Sequence, residues 1–134
     1  MRSNVFGVLA LCFFSFLFVA VPLLAHHSFV AQFDMNKPVT VKGVVTKVEW
    51  GNPHISFFID VADESGKVTN WGVDAASPTA LAGLGWNRTS MKPGDVITVD
   101  GFRAKNGKPF AAASMVTLAD GRRVSAGSDG VFSK

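Results

Sequence analysis

The chain has 134 residues, with 13 Lys and Arg against 10 Asp and Glu, and a single cysteine. The formal net charge of +3 suits a soluble protein and is far from the strongly basic balance of nucleic-acid-binding domains. The length allows one domain with one hydrophobic core. Because Cys12 lies within an apolar N-terminal run, disulfides, thiol catalysis and Cys-based metal sites are excluded for the chain that follows it.

The N-terminus has the pattern of a secretory signal peptide. Arg2 provides a short positive start, residues 5–24 are almost wholly apolar, and Ala25 precedes the polar His26. This order predicts cleavage after Ala25, a signal peptide over residues 1–25, and export to the periplasm or cell envelope. The alternative is an uncleaved anchor, since the run approaches the roughly 18–20 apolar residues that span a bilayer. Pro22 and the abrupt polarity after Ala25 favour cleavage, so the membrane is expected as a partner only before processing.

Three strands are predicted after an N-terminal arm over residues 26–38. The first, over residues 39–50, has valines at both odd and even positions around Gly43. This switch of face beside a glycine predicts a bulge and a strong bend there. The second, over residues 54–62, alternates cleanly, and its predicted core residues are Ile55, Phe57, Ile59 and Val61. A polar turn over residues 63–67 should bring residues 68–74 back as a hairpin partner.

One short helix and two more strands complete the predicted domain, which ends at residue 127. Ser77 as N-cap, Pro78 in the first helical position and Gly85 as a stop define the helix. The remaining predicted elements are strands over residues 96–104 and 109–118, a tight turn at residues 106–107, and a flexible tail over residues 128–134.

This order of elements is mainly β and matches an OB-like five-stranded barrel. A long first strand bent at a glycine, and one helix between the third and fourth strands, are the layout of that barrel. An open α+β sheet and a small sandwich are the alternatives.

Four stretches resemble one family of small exported bacterial proteins, domain of unknown function 6152. They are His-His-Ser-Phe at residues 26–29, Val-Lys-Gly-Val-Val-Thr-Lys-Val-Glu-Trp-Gly-Asn-Pro-His at 41–54, Lys-Pro-Gly-Asp-Val-Ile-Thr-Val-Asp-Gly-Phe-Arg-Ala at 92–104, and Val-Thr-Leu-Ala-Asp-Gly-Arg-Arg at 116–123. The likeness covers nearly all of residues 25–127. It implies export and a single domain, and it supplies no mechanism.

The histidines carry the sharpest chemical signal. Cleavage after Ala25 makes His26 the first residue, so that its α-amine and ring nitrogen can chelate one metal ion. His54, held after Pro53 and pointing away from the core, can complete a planar nitrogen set, with His27 as an auxiliary ligand. Such a thiol-free set favours copper over zinc or nickel. Phe29 and Phe33 are expected to dock the arm on the barrel and keep these histidines near His54.

Two other functions stay open beside the metal site. The histidines could be incidental, and the domain could be an interaction or small-ligand module that uses the loop around Trp50, Asn52 and Pro53. An enzyme ranks third, because no carboxylate pair, nucleophile elbow or phosphate-binding loop is present. Without the signal peptide, 12 basic residues stand against 10 acidic ones, a net charge of about +2, so no nucleic-acid partner is expected.

Overall fold

The structure, a computed structural model, describes residues 31–127. The predicted signal peptide, His26, His27 and the predicted tail over residues 128–134 lie outside the described residues. The elements are β1 (Phe33–Glu49), β2 (Ser56–Ala62), β3 (Val68–Asp74), α1 (Pro78–Gly83), β4 (Val96–Ala104), β5 (Phe110–Thr117) and β6 (Arg123–Ser125).

Five of the strands close into a ring. The sheet runs β3-β2-β1-β4-β5-β6, and its antiparallel neighbours are joined by a parallel pairing between β3 and β5. The strands therefore follow each other around the ring as β1, β2, β3, β5 and β4, with α1 inserted between β3 and β4. This is the topology of an OB-fold barrel, which confirms the predicted fold class and makes the open sheet and the sandwich wrong.

β1 begins at Phe33, whereas the sequence pattern places its start at Val39. Phe33 pairs with Ala104, but the next pair in register is Pro38 with Phe102, so the intervening residues form an irregular excursion. There the Asp34 carboxylate accepts a hydrogen bond from the Asn36 backbone N–H at 3.0 Å. Apart from Met35, residues 34–37 are polar, and they lack alternation, so they carry no strand signal. The last part of the predicted arm is thus the first part of β1.

The bulge in β1 lies at Thr46 and not at Gly43. Val45 pairs with Ile59 and Lys47 with Phe58, which leaves Thr46 as the extra residue. The valines change faces at this point: Val45 is buried, and Val48, beyond the bulge, packs against the core. Gly43 has a different role. A Cβ there would fall on the backbone carbonyl oxygen of Asp60 in β2, so the glycine permits close approach of the two strands.

The other elements lie close to their predicted bounds. β3 and β4 match the predicted ranges, while β2 begins at Ser56 and β5 spans Phe110–Thr117. Ser77 caps α1, since its hydroxyl accepts a hydrogen bond from the Ala80 N–H at 3.3 Å. β6, a three-residue strand paired with β5, was not predicted because Arg123–Ser125 is too short to show alternation.

The core fills the inside of the ring. Ile55, Phe57 and Ile59 are at most 1% exposed, as predicted, whereas Val61 is only partly buried. α1 adds Leu81 to the same cluster, which also includes Trp86 and Met91. Within residues 31–127, no helix is long and apolar enough to cross a membrane.

Candidate functional site

His54 is exposed in the loop between β1 and β2. It precedes buried Ile55, so strand alternation points its ring to the outer face of the barrel, as the sequence predicts. The preceding Asn52–Pro53 peptide is cis. Within the described residues, the His54 ring has no hydrogen-bond or ion-pair partner, and it is therefore available to a ligand.

The structure describes only one of the three predicted metal ligands, because His26 and His27 lie outside the described residues. Residues 31–127 contain no group of three or more His, Cys, Asp or Glu side chains that could hold a metal ion. A metal ion at His54 would therefore need further ligands from outside residues 31–127.

Ser56 and Asp74 lie beside His54 on the outer face. They face each other in the β2–β3 register, and the Ser56 hydroxyl donates to Asp74 Oδ1 at 2.6 Å. His54 precedes Ser56 by two residues, so the two side chains share a face. On its other side Asp74 pairs with the buried Ala112 of β5. Asp74 is thus a half-buried carboxylate on the outer face, opposite Ser56.

An aromatic row crosses the same face. Phe58 pairs with Gly72, which pairs in turn with Phe110. The missing side chain of Gly72 makes room for the Phe110 ring, because a Cβ there would lie 2.7 Å from Phe110 Cδ2. Phe33 extends the row, with its ring stacked on Phe110 at a centroid distance of 5.6 Å and an interplanar angle of 23°. Phe33 is 2% exposed, so the start of β1 is docked on β5, as expected for this residue.

The outward position of Asp74 follows from the sequence pattern. The alternation of β3 turns Trp71 and Val73 inward and Asp74 outward, and the turn over residues 63–67 sets a hairpin register that pairs Asp74 with Ser56. The sequence alone therefore places this carboxylate next to the strand that begins beside His54.

The three tryptophans have separate structural positions. Trp71 and Trp86 belong to the core, and the Trp86 indole N–H donates to the Ser125 carbonyl at 2.8 Å. Trp50 is half-buried at the start of the β1–β2 loop, and the guanidinium carbon of Arg88 lies 6.0 Å from its ring centroid. Trp50 is therefore the tryptophan that the loop presents to solvent, within four residues of His54.

The sequence pattern of the Family of unknown function (DUF6152) matches residues 15–113. The chain belongs to this family. No curated protein matches it. Among solved structures, it is similar to the crystal structure of the mitochondrial single-stranded DNA binding protein Rim1 from S. cerevisiae, with 10% identity and a TM-score of 0.48 over 61% of this chain and 92% of that one.

Proposed function

We propose that this member of the family is an exported module that captures one copper ion without turnover. His26, as the first residue of the processed chain, would bind Cu(II) through its α-amine and ring nitrogen. His54 would add a third nitrogen, and His27 would be an auxiliary ligand. Nitrogen-rich tetragonal sets suit Cu(II). The periplasm or cell envelope is the compartment that the signal peptide implies.

The docking of Phe33 on β5 is the observation that carries this proposal. Phe33 lies at the end of β1 remote from His54, so along β1 the two are far apart. The closed ring offers a shorter path, because Phe33 pairs with Ala104 of β4 and the sheet continues from β4 to β2 through β5 and β3. The row of paired residues along this path is Phe102, Ala112, Asp74 and Ser56.

The length of the arm fits this path. Four strand spacings of about 4.8 Å, with about 13 Å along the strands, separate Phe33 from His54 by roughly 23 Å across the sheet. His26 precedes Phe33 by seven residues, which extend to roughly 23–25 Å. Under this proposal, the processed N-terminus would reach His54 with the arm almost fully extended across the outer face.

The test is a Cu(II) titration of protein that a cell has exported and processed, with the N-terminus checked by intact mass. Calorimetry is expected to give one tight equivalent, and electron paramagnetic resonance a nitrogen-rich tetragonal spectrum. His26→Ala should weaken binding far more than the matched control His27→Ala, and one extra residue before His26 should do similar damage by moving the α-amine. Weak binding at several sites, equal small losses in all three variants, or a processed chain that does not begin at His26 would refute the proposal.

A second candidate function is binding of a partner or a small ligand at the β1–β2 loop, with no metal. The contact between Arg88 and half-buried Trp50 favours it, because an aromatic ring with a nearby guanidinium suits a planar anionic group. A change at the N-terminus distinguishes the two functions, since a residue added before His26 should leave ligand binding at a Trp50 site unaffected. Trp50→Ala should, conversely, leave the copper stoichiometry unchanged. In either case we expect no retention on single-stranded DNA at physiological salt, because the processed chain is nearly neutral.

A further inference from the structure

The β4–β5 hairpin concentrates positive charge. Between Asp100 and Asp120 the chain has three cationic side chains, those of Arg103, Lys105 and Lys108, and no Asp or Glu. Within the described residues none of these three forms an ion pair, whereas five other Lys and Arg side chains do. The hairpin therefore presents positive charges that the described part of the protein does not neutralise.

Two contacts orient the guanidinium of Arg103. Its carbon lies 5.2 Å from the ring centroid of Trp71, and its Nη2 donates a hydrogen bond to the Gly107 carbonyl at 3.3 Å. Trp71 is a core residue of β3, so the aromatic support is itself held by the barrel. Arg103 is half-buried, and a cation partly removed from water attracts an anion more strongly than a fully solvated one.

The remaining donors of this guanidinium are free. Arginine has five N–H donors in a planar fork, and the bond to Gly107 is the only hydrogen bond that the Arg103 side chain makes within residues 31–127. Such a fork binds an oxyanion through two parallel hydrogen bonds. Lys108 follows Gly107 in the chain, and both it and Lys105 are exposed. Two flexible ammonium groups therefore start close to the oriented guanidinium.

Carboxylates of the adjoining segments have partners of their own. Asp34, near the start of β1, pairs with Lys37. Asp63, in the turn before β3, accepts three hydrogen bonds from residues of that turn. Neither carboxylate is therefore the counter-charge of Arg103.

We propose that the β4–β5 hairpin binds a phosphate group, with Arg103 as the bidentate donor and Lys105 and Lys108 as flexible counter-charges. A phosphate monoester has three acceptor oxygens and a charge of about −1.5 to −2 at pH 7, which suits a fork and two ammonium groups. The site goes beyond the proposed copper function and uses none of its ligands. It also lies at the other end of β1 from His54, because Ala104 pairs with Phe33.

The probe is inorganic phosphate, titrated into exported, processed protein without metal at constant ionic strength, with chloride as the reference anion. Nuclear magnetic resonance should show saturable shifts of the Arg103 Nε–H and the Gly107 amide with phosphate and not with chloride. Arg103→Lys keeps the charge and loses the fork, so it should weaken phosphate binding by about tenfold or more. The control Lys42→Gln removes an exposed, unpaired cation elsewhere and should leave the affinity unchanged.

A double variant guards against an effect on folding, which thermal unfolding monitors. Lys105→Gln with Lys108→Gln changes exposed side chains only, and it should also weaken phosphate binding. Equal phosphate affinities in wild type, Arg103→Lys and the double variant would overturn the site, even if Arg103→Lys is less stable. Arg103 would then only cover Trp71. Shifts that follow chloride as closely as phosphate would also overturn it.

Vesicles distinguish the source of the phosphate group. A lipid source predicts co-sedimentation with phosphatidylglycerol vesicles, weakened in Arg103→Lys, and none with zwitterionic phosphatidylcholine. A soluble source predicts the saturable phosphate shifts without retention on either vesicle. Retention on phosphatidylglycerol that Arg103→Lys and Lys42→Gln reduce equally, without saturable phosphate shifts, would mean a general charge effect and would overturn the site.

Discussion

Replacing Phe33 by alanine removes the contact that docks the start of β1 on β5. Phe33 is 2% exposed and its ring stacks on Phe110. Truncation of a buried phenylalanine costs about 3–5 kcal/mol, and we expect the lower part of this range because Phe33 packs on the outer face, where water can fill part of the space. A loss of about 3 kcal/mol lowers the melting temperature of a domain of this size by roughly 12–24 °C.

The free energy of unfolding is measured by urea titration, and the affinity for Cu(II) by calorimetry under conditions where the variant is still folded. Phe33→Ala should weaken copper binding by about tenfold or more, because an arm that is no longer docked has a lower effective concentration near His54. The matched control is Ile97→Ala, which removes a side chain 2% exposed in the core and should cost a similar 2–5 kcal/mol or so without affecting the arm.

Two results would refute this reasoning. A loss below about 1 kcal/mol for Phe33→Ala would mean that the contact with β5 contributes little to the fold, since such values are typical of surface substitutions. Equal weakening of copper binding by Phe33→Ala and Ile97→Ala would mean that general destabilisation, and not the position of the arm, controls affinity.

Two further predictions concern the barrel itself. Gly101→Ala should lower the free energy of unfolding in urea by about 1–3 kcal/mol or more, because its Cβ would fall on the backbone carbonyl oxygen of Ala112. Gly83→Ala is the control and should not have this effect, since the space around its Cβ is open. Equal effects of the two substitutions would contradict the close approach of β4 and β5. The hydrogen bond from the Lys92 side chain to Asp95 lowers the pKa of that carboxyl, so its contribution to stability is present above the ordinary value near 3.8 and is lost as pH falls through the lowered pKa. In urea titrations across this range, the difference between wild type and Asp95→Asn should therefore shrink on acidification, and a constant difference would contradict it.

Local pattern was sufficient for most of the elements and for the orientation of His54. The alternation in residues 54–62 and 68–74 gives both faces of the β2–β3 hairpin, because the side-chain period of a strand is two and one face is apolar. The same period puts His54 outside and pairs Ser56 with Asp74 once the turn length is known. The helix could be predicted because Ser77, Pro78 and Gly85 act through local backbone geometry.

Other features depend on contacts between segments far apart in the chain. The bulge in β1 lies at Thr46 because β2 sets the register there. Gly43 is needed because the Asp60 carbonyl of β2 leaves no space for a side chain. The early start of β1 depends on Ala104 and Phe110, which offer a partner strand and an aromatic surface to Phe33. β6 exists only because the free edge of β5 is available to pair with it.

By itself, the sequence determined the order of the elements, the inward faces of the central strands, the predicted export signal and the choice of histidines as candidate ligands. These depend on periodicity, capping and composition, which act over a few residues. Only the tertiary structure decided that the β3–β5 pairing closes the ring and that the Phe33 ring stacks on Phe110 of β5. Closure joins strands distant in sequence through backbone hydrogen bonds. Because all residues except proline carry the same backbone donor and acceptor, no residue pattern in the sequence predicts which distant strands pair.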